Sequence, residues 1–290
     1  MTSALPSRRD EDWKHSDLRA ALDGVAAPLS GEGNIIERLA RAAGAFSARE
    51  LADGDRDIVV DEIETTSFAP QAECVSVGAG GVYHRIVLQR GEGVALSSCR
   101  VRLGAGAVFR QFVIAEGARL ARLETHVAVE GEDAEVELGG VYLCGADRHA
   151  DLTSVVSHGA ARGRTRQLVK GAARKGGRGV FQGKIIVEHA AQRTDARQHH
   201  KGMLLEDGAE IFAKPELMIF ADDVACAHGN AAGGVDRNAL FYLRSRGVAE
   251  GEARALLTEA FLLDALPAWA PPDVRAEIEA RISVWLRGAP

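Results

Sequence analysis

The stretch RIVLQRGEGVALSSCRVRLGAGAVFRQFVIAEGARL, Arg85 to Leu120, decides how the chain folds. Short apolar runs (Arg85-Ile86-Val87-Leu88, Ala107-Val108-Phe109, Phe112-Val113-Ile114) alternate with corners at Gly91-Glu92-Gly93, Gly104-Ala105-Gly106 and Glu116-Gly117-Ala118. Gly93, Gly106 and Gly117 lie 13 and 11 residues apart, room for one short strand plus a turn each time. The same texture extends outward. Ile58-Val59-Val60 and Lys184-Ile185-Ile186-Val187 read as strands, and Gly131-Glu132-Asp133 and Glu206-Asp207-Gly208 as corners. Helical spacing is missing throughout residues 57–235. A β-sandwich or a solenoid fits such a pattern. Small residues fill the runs and aromatics are only 5% of the chain, which favours a solenoid with a narrow interior.

Both flanks change period. In residues 1–56, Ser16-Asp17 can cap a short helix through Leu22, with Gly24 as its stop. Asn34 can cap a second, bearing Ile35, Ile36, Leu39, Ala40 and Ala43 on one face. In residues 236–290, Asp236 caps a helix carrying Leu240 and Leu243 that Gly247 ends. A following helix places Ala253, Leu256, Leu257, Ala260 and Phe261 at helical spacing before Pro267. A last one, opened by Pro271-Pro272-Asp273, carries Val274, Ile278, Ile282 and Trp285. These C-terminal helices are expected to cap the open last coil or to offer a docking face.

Composition excludes several function classes. A net charge of −6 does not suit a nucleic-acid backbone, and the basic run from Arg162 to Arg178 reads as a solvated edge. No uncharged apolar run is long enough to cross a bilayer, and no apolar segment follows the N-terminal charges as a secretory signal would require. Cys74, Cys99, Cys144 and Cys226 are too scattered for a disulfide framework and read as reduced thiols of a cytoplasmic protein.

Motifs for chemistry are sparse. Gly183-Lys184 is followed by Ile185 and not by the hydroxyl residue of a phosphate-binding loop. Lys175-Gly176-Gly177-Arg178-Gly179 opens no helix and reads as a turn, and no Gly-x-Ser-x-Gly elbow occurs. Asp222-Asp223 would point to opposite faces of a strand, which suits a turn better than a pair of acids around one glycosidic bond. The adjacent His199 and His200 diverge for the same reason. Cys226-Ala227-His228-Gly229 differs: residues two apart on a strand share a face, so a thiol and an imidazole stand side by side. Both are iron ligands, yet two donors do not close a cluster site. Taken alone the pair also reads as a small buried Cys beside a hydrogen-bonded His, and a cluster site here would need a second chain to complete it.

Several long segments together resemble the SufD branch of the SufB/SufD family. They are KPELMIFADDVACAHG (Lys214 to Gly229), DRNALFYLRSRG (Asp236 to Gly247) and GVFQGKIIVEHAAQRTDARQ (Gly179 to Gln198), with Glu11, Trp13, Lys14, Ser16, Asp17 and Leu18 matching an N-terminal Glu-x-Trp-Lys signature. The resemblance implies a right-handed parallel β-helix flanked by helices. It implies a non-catalytic scaffold that pairs with SufB, docks the ATPase SufC and helps build nascent iron–sulfur clusters. Its cluster-assembly residue would be His228, a metal donor shared with SufB, with Cys226 beside it. No cofactor would be held tightly by the chain alone. The family's SufC-docking region maps onto Asp236, Leu240, Phe241, Tyr242, Arg244, Arg246, Leu256 and Phe261. Ala227 stands where Ser is common in the family, and the N-terminal helical part is short. Two rival readings remain. One is a SufB-like subunit carrying clusters as a homodimer, for which more cysteines would be expected. The other is a β-helix carbohydrate enzyme, which needs acids clustered on one sheet.

Overall fold

A computed structural model describes residues 5–23, 25 and 27–288. Its body is a parallel β-solenoid with two walls of seven strands each. The odd wall stacks β1 (Phe46–Leu51), β3 (Phe68–Val77), β5 (Val94–Leu103), β7 (Leu120–Val129), β9 (His149–His158), β11 (Arg178–Val187) and β13 (Glu210–Ile219). The even wall stacks β2 (Arg56–Thr65), β4 (Val82–Gly91), β6 (Val108–Ala115), β8 (Glu135–Cys144), β10 (Arg164–Ala173), β12 (Asp195–Leu204) and β14 (Ala225–Gly233). Each strand pairs in parallel with the strand two places on, so one coil is one odd and one even strand. The coil grows from 26 residues, where Arg85 meets Gln111, to 31, where Gln167 meets Gln198. The spacing of Gly93, Gly106 and Gly117 is therefore half of an early coil. Gly106 and Gly117 turn with φ of 62° and 69°, where a side chain would be strained.

Strands begin at Phe46, inside the stretch expected to be helical. Phe46–Leu51 has little strand pattern of its own, and its partner Ala72–Val77 supplies the pairing. Before it come α1 (Leu18–Ala21), capped by Asp17, and α2 (Ile35–Ala42), where Asn34 and Glu37 form a capping box. Gly24, the expected stop of the first helix, lies outside the described residues. These helices bury Trp13, Leu18, Leu22, Ile36 and Leu39 against the outward residues Val94, Leu96 and Leu120 of the odd wall. The anchor is polar as well as apolar. Trp13 lies over the Arg122 guanidinium at 3.9 Å, Arg122 pairs with buried Asp151 at 2.8 Å, and Ser16 donates to the same carboxylate. Burial alone would raise the Glu124 carboxyl, but the charge of Arg122 and the His126 hydrogen bond outweigh it and hold it at about 2. Glu11 reaches Lys214 of β13 at 2.6 Å, and His15 stacks on Phe212 at 4.9 Å. The N-terminal segment thus staples the middle of the stack to its last odd strand.

The C-terminal helices are α3 (Arg237–Ser245), α4 (Glu250–Leu263) and α5 (Pro272–Arg287). They do not cap the last coil. α4 and α5 lie along the even wall, where Leu262, Ile278 and Ile282 cover Ile86, Leu88, Phe112, Ile114, Val141 and Leu143. The outer face of that wall is apolar in its early coils, so it needs a cover that the tip does not. Lys170 fixes the end of α4 through the Phe261 carbonyl at 2.8 Å and Asp264 at 2.6 Å. Within α4 the buried positions are Ala253, Thr258 and Leu262, whereas Leu256, expected on the apolar stripe, is 45% exposed. Asp222 and Asp223 fall in the turn between β13 and β14. No helix among the described residues is long and apolar enough to cross a membrane.

Inside the tube, inward positions stack in register. The middle inward residues of the even strands run Arg85, Gln111, Leu138, Gln167, Gln198, His228. Apolar columns flank this largely polar strip: Tyr83, Phe109 and Val136 on one side, Val87, Val113 and Val169 on the other. Its amides are satisfied mostly by the opposite wall and by the next coil. Arg85 donates to Gln111, Gln111 to Thr125 at 2.7 Å, Gln167 to Ser154 at 2.8 Å and Gln198 to Gln167 at 3.0 Å.

Buried His158, with Nε2 2.8 Å from Thr165 Oγ1, sets a pH limit on stability. Burial pushes its imidazole down to about 4, from the ordinary 6.5. The folded ring is neutral where the unfolded ring takes up a proton, so its contribution is complete above pH 6.5 and is lost as pH falls toward 4. His149, also held at about 4 by burial against the opposing charge of Asp151, has the same sign. The urea midpoint is expected to fall between pH 7 and pH 4.5. His158→Asn should shrink that fall, leaving the share of His149. A midpoint drop unchanged by the substitution would refute the assignment.

Candidate functional site

The solenoid ends at β13 and β14, and this tip gathers the residues of interest. Cys226, His228 and Asn230 sit in register above Ala196, Gln198 and His200, all three of which are buried inside the tube. The three belong to the inward-facing row, yet no further coil among the described residues covers them. His228 is exposed and Cys226 half-buried. The strand thus brings thiol and imidazole to one face, as their spacing predicts, and the end of the stack opens that face to solvent. Burial pushes the Cys226 thiol up, the Ala196 backbone opposes this, and Asp195 adds to it.

Beneath this row lies a polar network that the sequence reading did not single out. Asn230 Oδ1 is 2.7 Å from His200 Nδ1, and His200 Nε2 is 2.9 Å from the Tyr142 hydroxyl. An amide oxygen only accepts, so His200 carries its proton on Nδ1 and accepts the Tyr142 O–H on Nε2. Burial lowers the His200 imidazole, against the Asn230 hydrogen bond. Phe181 and Tyr142 stack on the ring at 5.1 and 5.9 Å. The Tyr142 ring fills the space beside Gly171 and Gly179, where an added Cβ would lie 1.9 and 2.1 Å from ring atoms. His199 and His200 do diverge: the first is exposed, and only the second enters the tube. The sequence carries little signal for the network: the register sets Tyr142 beside Gly171 and His200 beside Val169 and Asn230, so the phenol reaches His200 from two coils away, past Gly171.

The two ends of the stack differ in chemistry. At the first coil, Arg49, Glu50, Arg56, Asp57, Asp61, Glu62 and Glu64 put charge on both edge strands, the usual guard against edge-to-edge pairing. At the last coil, β14 reads ACAHGNAAG, with no charged residue, while the other edge strand, β13, carries Glu210, Lys214 and Glu216. Met218, Ile219 and Phe220 are exposed beside it, Phe220 by 53%. Among the described residues, no three His, Cys, Asp or Glu side chains converge so as to hold a metal ion.

The candidate docking residues of the C-terminal region fall into two groups. Asp236 caps α3 through the amides of Asn238 and Ala239, Leu240 is buried, and Phe261 is partly buried under the Lys170 ammonium at 4.6 Å. Phe241 is 74% and Tyr242 58% exposed, and Arg244, Arg246 and Leu256 are also at the surface. α3 packs on α4 and stands off the solenoid wall.

A family model described as "SUF system FeS cluster assembly, SufBD core domain" matches residues 60–261. The iron–sulfur cluster assembly protein SufD of Escherichia coli K12 is 31% identical over 172 residues, covering 59% of this chain and 41% of that protein. An iron–sulfur cluster assembly SufBD family protein of Synechocystis is 32% identical over 180 residues, covering 61% of this chain and 40% of that one. A SufBD family protein of Mycobacterium tuberculosis H37Rv is 27% identical over 268 residues, 89% of this chain and 66% of its own length. In the first two comparisons the chain spans about two fifths of the relative's length.

The buried network gives a stability prediction. Tyr142→Phe removes the donor to His200 Nε2 while keeping the packed ring, so it should cost about 1–3 kcal/mol. Urea denaturation at pH 7.5 measures it. A change within error would mean that His200 finds its second partner elsewhere.

Proposed function

This chain belongs to the SufBD core family of SUF iron–sulfur cluster assembly proteins, and from that premise we propose that it is a scaffold subunit of that assembly and not itself a catalyst. Its open last coil would dock end-on against the matching coil of a SufB subunit, β-helix to β-helix. One observation carries this reading: the charge-free strand β14, the exposed apolar residues and the inward-facing Cys226 and His228 all belong to the same terminal coil. A partner strand laid on β14 would satisfy its free backbone groups and bring further ligands to the imidazole. The nascent cluster is the cargo of this seam, with His228 as a donor shared across it and Cys226 as its neighbour. Two donors on one side fit a site that only a second chain completes.

α3 would receive the ATPase, SufC. Phe241 and Tyr242 supply large exposed aromatic area flanked by Arg244 and Arg246, a composition enriched at interface hot spots. Leu240 and Phe261 would act from below by holding the helix in place. Because α3 rests on α4, and α4 on the even wall, a push on α3 has a packed route to the strands that end at the seam. This reading assigns the chain to the cytoplasm. The homodimeric rival uses the same edge, so the partner found on it separates the two.

Two substitutions test the reading. His228→Ala should leave the melting temperature unchanged and slow cluster build-up in the reconstituted complex by at least about ten-fold; a normal rate would remove His228 from the site. Phe220→Asp places a charge at the exposed tip and should abolish co-elution with SufB in gel filtration while the chain stays folded. Undiminished co-elution would move the interface elsewhere.

A further inference from the structure

Gln198 is fully buried one coil below His228, in register with it. Its amide is held from two sides. The Nε2 group donates to Gln167 Oε1 at 3.0 Å, and Gln167 in turn donates to Ser154. Gly183 on the facing wall leaves the space that the amide occupies: a Cβ there would lie 1.6 Å from Gln198 Nε2. With the NH2 group committed to the coil below, the carbonyl is the free corner of the amide. Gln198 Oε1 is buried and has no hydrogen-bond partner among the described residues. A buried acceptor left without a partner is costly, so it marks a partner that arrives by side-chain movement or with the complex. In the strip the residue stacked above Gln198 is His228, whose ring has a donor to give.

We propose that Gln198 is a positioning residue for His228: its Oε1 accepts one imidazole N–H, so that the other ring nitrogen keeps its lone pair and faces the open tip. This rests on the reading of His228 as the donor at the seam, and adds how the ring is presented. Histidines that bind metals commonly give their second N–H to a carbonyl or carboxylate, which sets both tautomer and ring plane. An exposed imidazole on a terminal strand would otherwise rotate and exchange tautomers freely. The buried amide removes that freedom without placing a charge in the tube. Asn230 Oδ1 already accepts from His200, whereas Gln198 Oε1 is the buried acceptor left without a partner.

The full chain labelled with 15N-histidine tests this at pH 8, with His228→Ala identifying the His228 signals. In the unsubstituted chain a ring N–H proton of His228 should be visible, because a hydrogen bond to a buried carbonyl slows its exchange. In Gln198→Met, which fills similar space without an acceptor, that proton signal should vanish and the tautomer ratio shift. Cluster build-up in the reconstituted complex should slow about ten-fold. The melting temperature of Gln198→Met reports on folding; if the variant does not fold, the unsubstituted spectrum decides alone. A fast-exchanging His228 ring in the unsubstituted chain, or one indifferent to Gln198→Met, overturns the proposal. The outcome is independent of the seam itself. Loss of assembly in His228→Ala together with an unrestrained ring would reject Gln198 only, whereas normal assembly in His228→Ala would reject the seam.

Discussion

In-register stacking governs this molecule. Each inward side chain of a parallel solenoid lies above one like it and below another, about 4.8 Å apart. A polar residue inside is therefore tolerated where the opposite wall, or the coil above or below, supplies its partner. The strip from Arg85 to Gln198 meets that condition largely through Thr125, Ser154 and its own amides. At the last coil the condition fails, because nothing lies above. Cys226, His228 and Asn230 are interior residues by orientation and surface residues by position. A side chain on an outer wall would be surrounded by solvent, whereas these three stand on a rigid base of buried residues and face outward from it.

That base is stiff for identifiable reasons. Tyr142 and His200 are clamped by glycines and by stacking, and both ring nitrogens of His200 are in use. The N-terminal staple adds to this from outside, tying β13 through Glu11 and His15 to the Trp13–Arg122–Asp151 anchor. The N-terminal signature residues do not reach the Cys226–His228 row. They hold β13, the strand that precedes it.

The sequence made some of this legible and hid the rest. Glycine corners at half-coil spacing revealed a solenoid, and i, i+2 spacing placed Cys226 and His228 on one face. The caps Asp17, Asn34 and Asp236 marked helix starts correctly, since side-chain caps act locally. What failed depended on distant pairing. Phe46–Leu51 is a strand only because Ala72–Val77 lies beside it. Leu256 fits a helical stripe, but the wall that α4 meets selects Ala253, Thr258 and Leu262 instead. Gln198 and His200 are single polar residues among many until the register stacks them under the terminal row, and Tyr142 reaches His200 from two coils below. The coil also lengthens along the chain, so no fixed period could have aligned them.

The position of the C-terminal helices follows from the same walls. Helices laid over the tip would cover the edge of β14, but they would also bury His228. The early even strands carry Ile86, Leu88, Phe112, Ile114, Val141 and Leu143 outward, a continuous apolar surface that water would penalise by roughly 25 cal/mol for each Å² left bare. β14 presents Ala227, Gly229 and Ala231 outward, with almost no area to cover. The hydrophobic faces of α4 and α5 therefore gain far more on the side than at the end. An apolar wall in the early coils is thus what keeps the last coil open, and it leaves α3 projecting from the same cover. Openness of the last coil and exposure of α3 have one cause, the uneven distribution of apolar residues along the even wall.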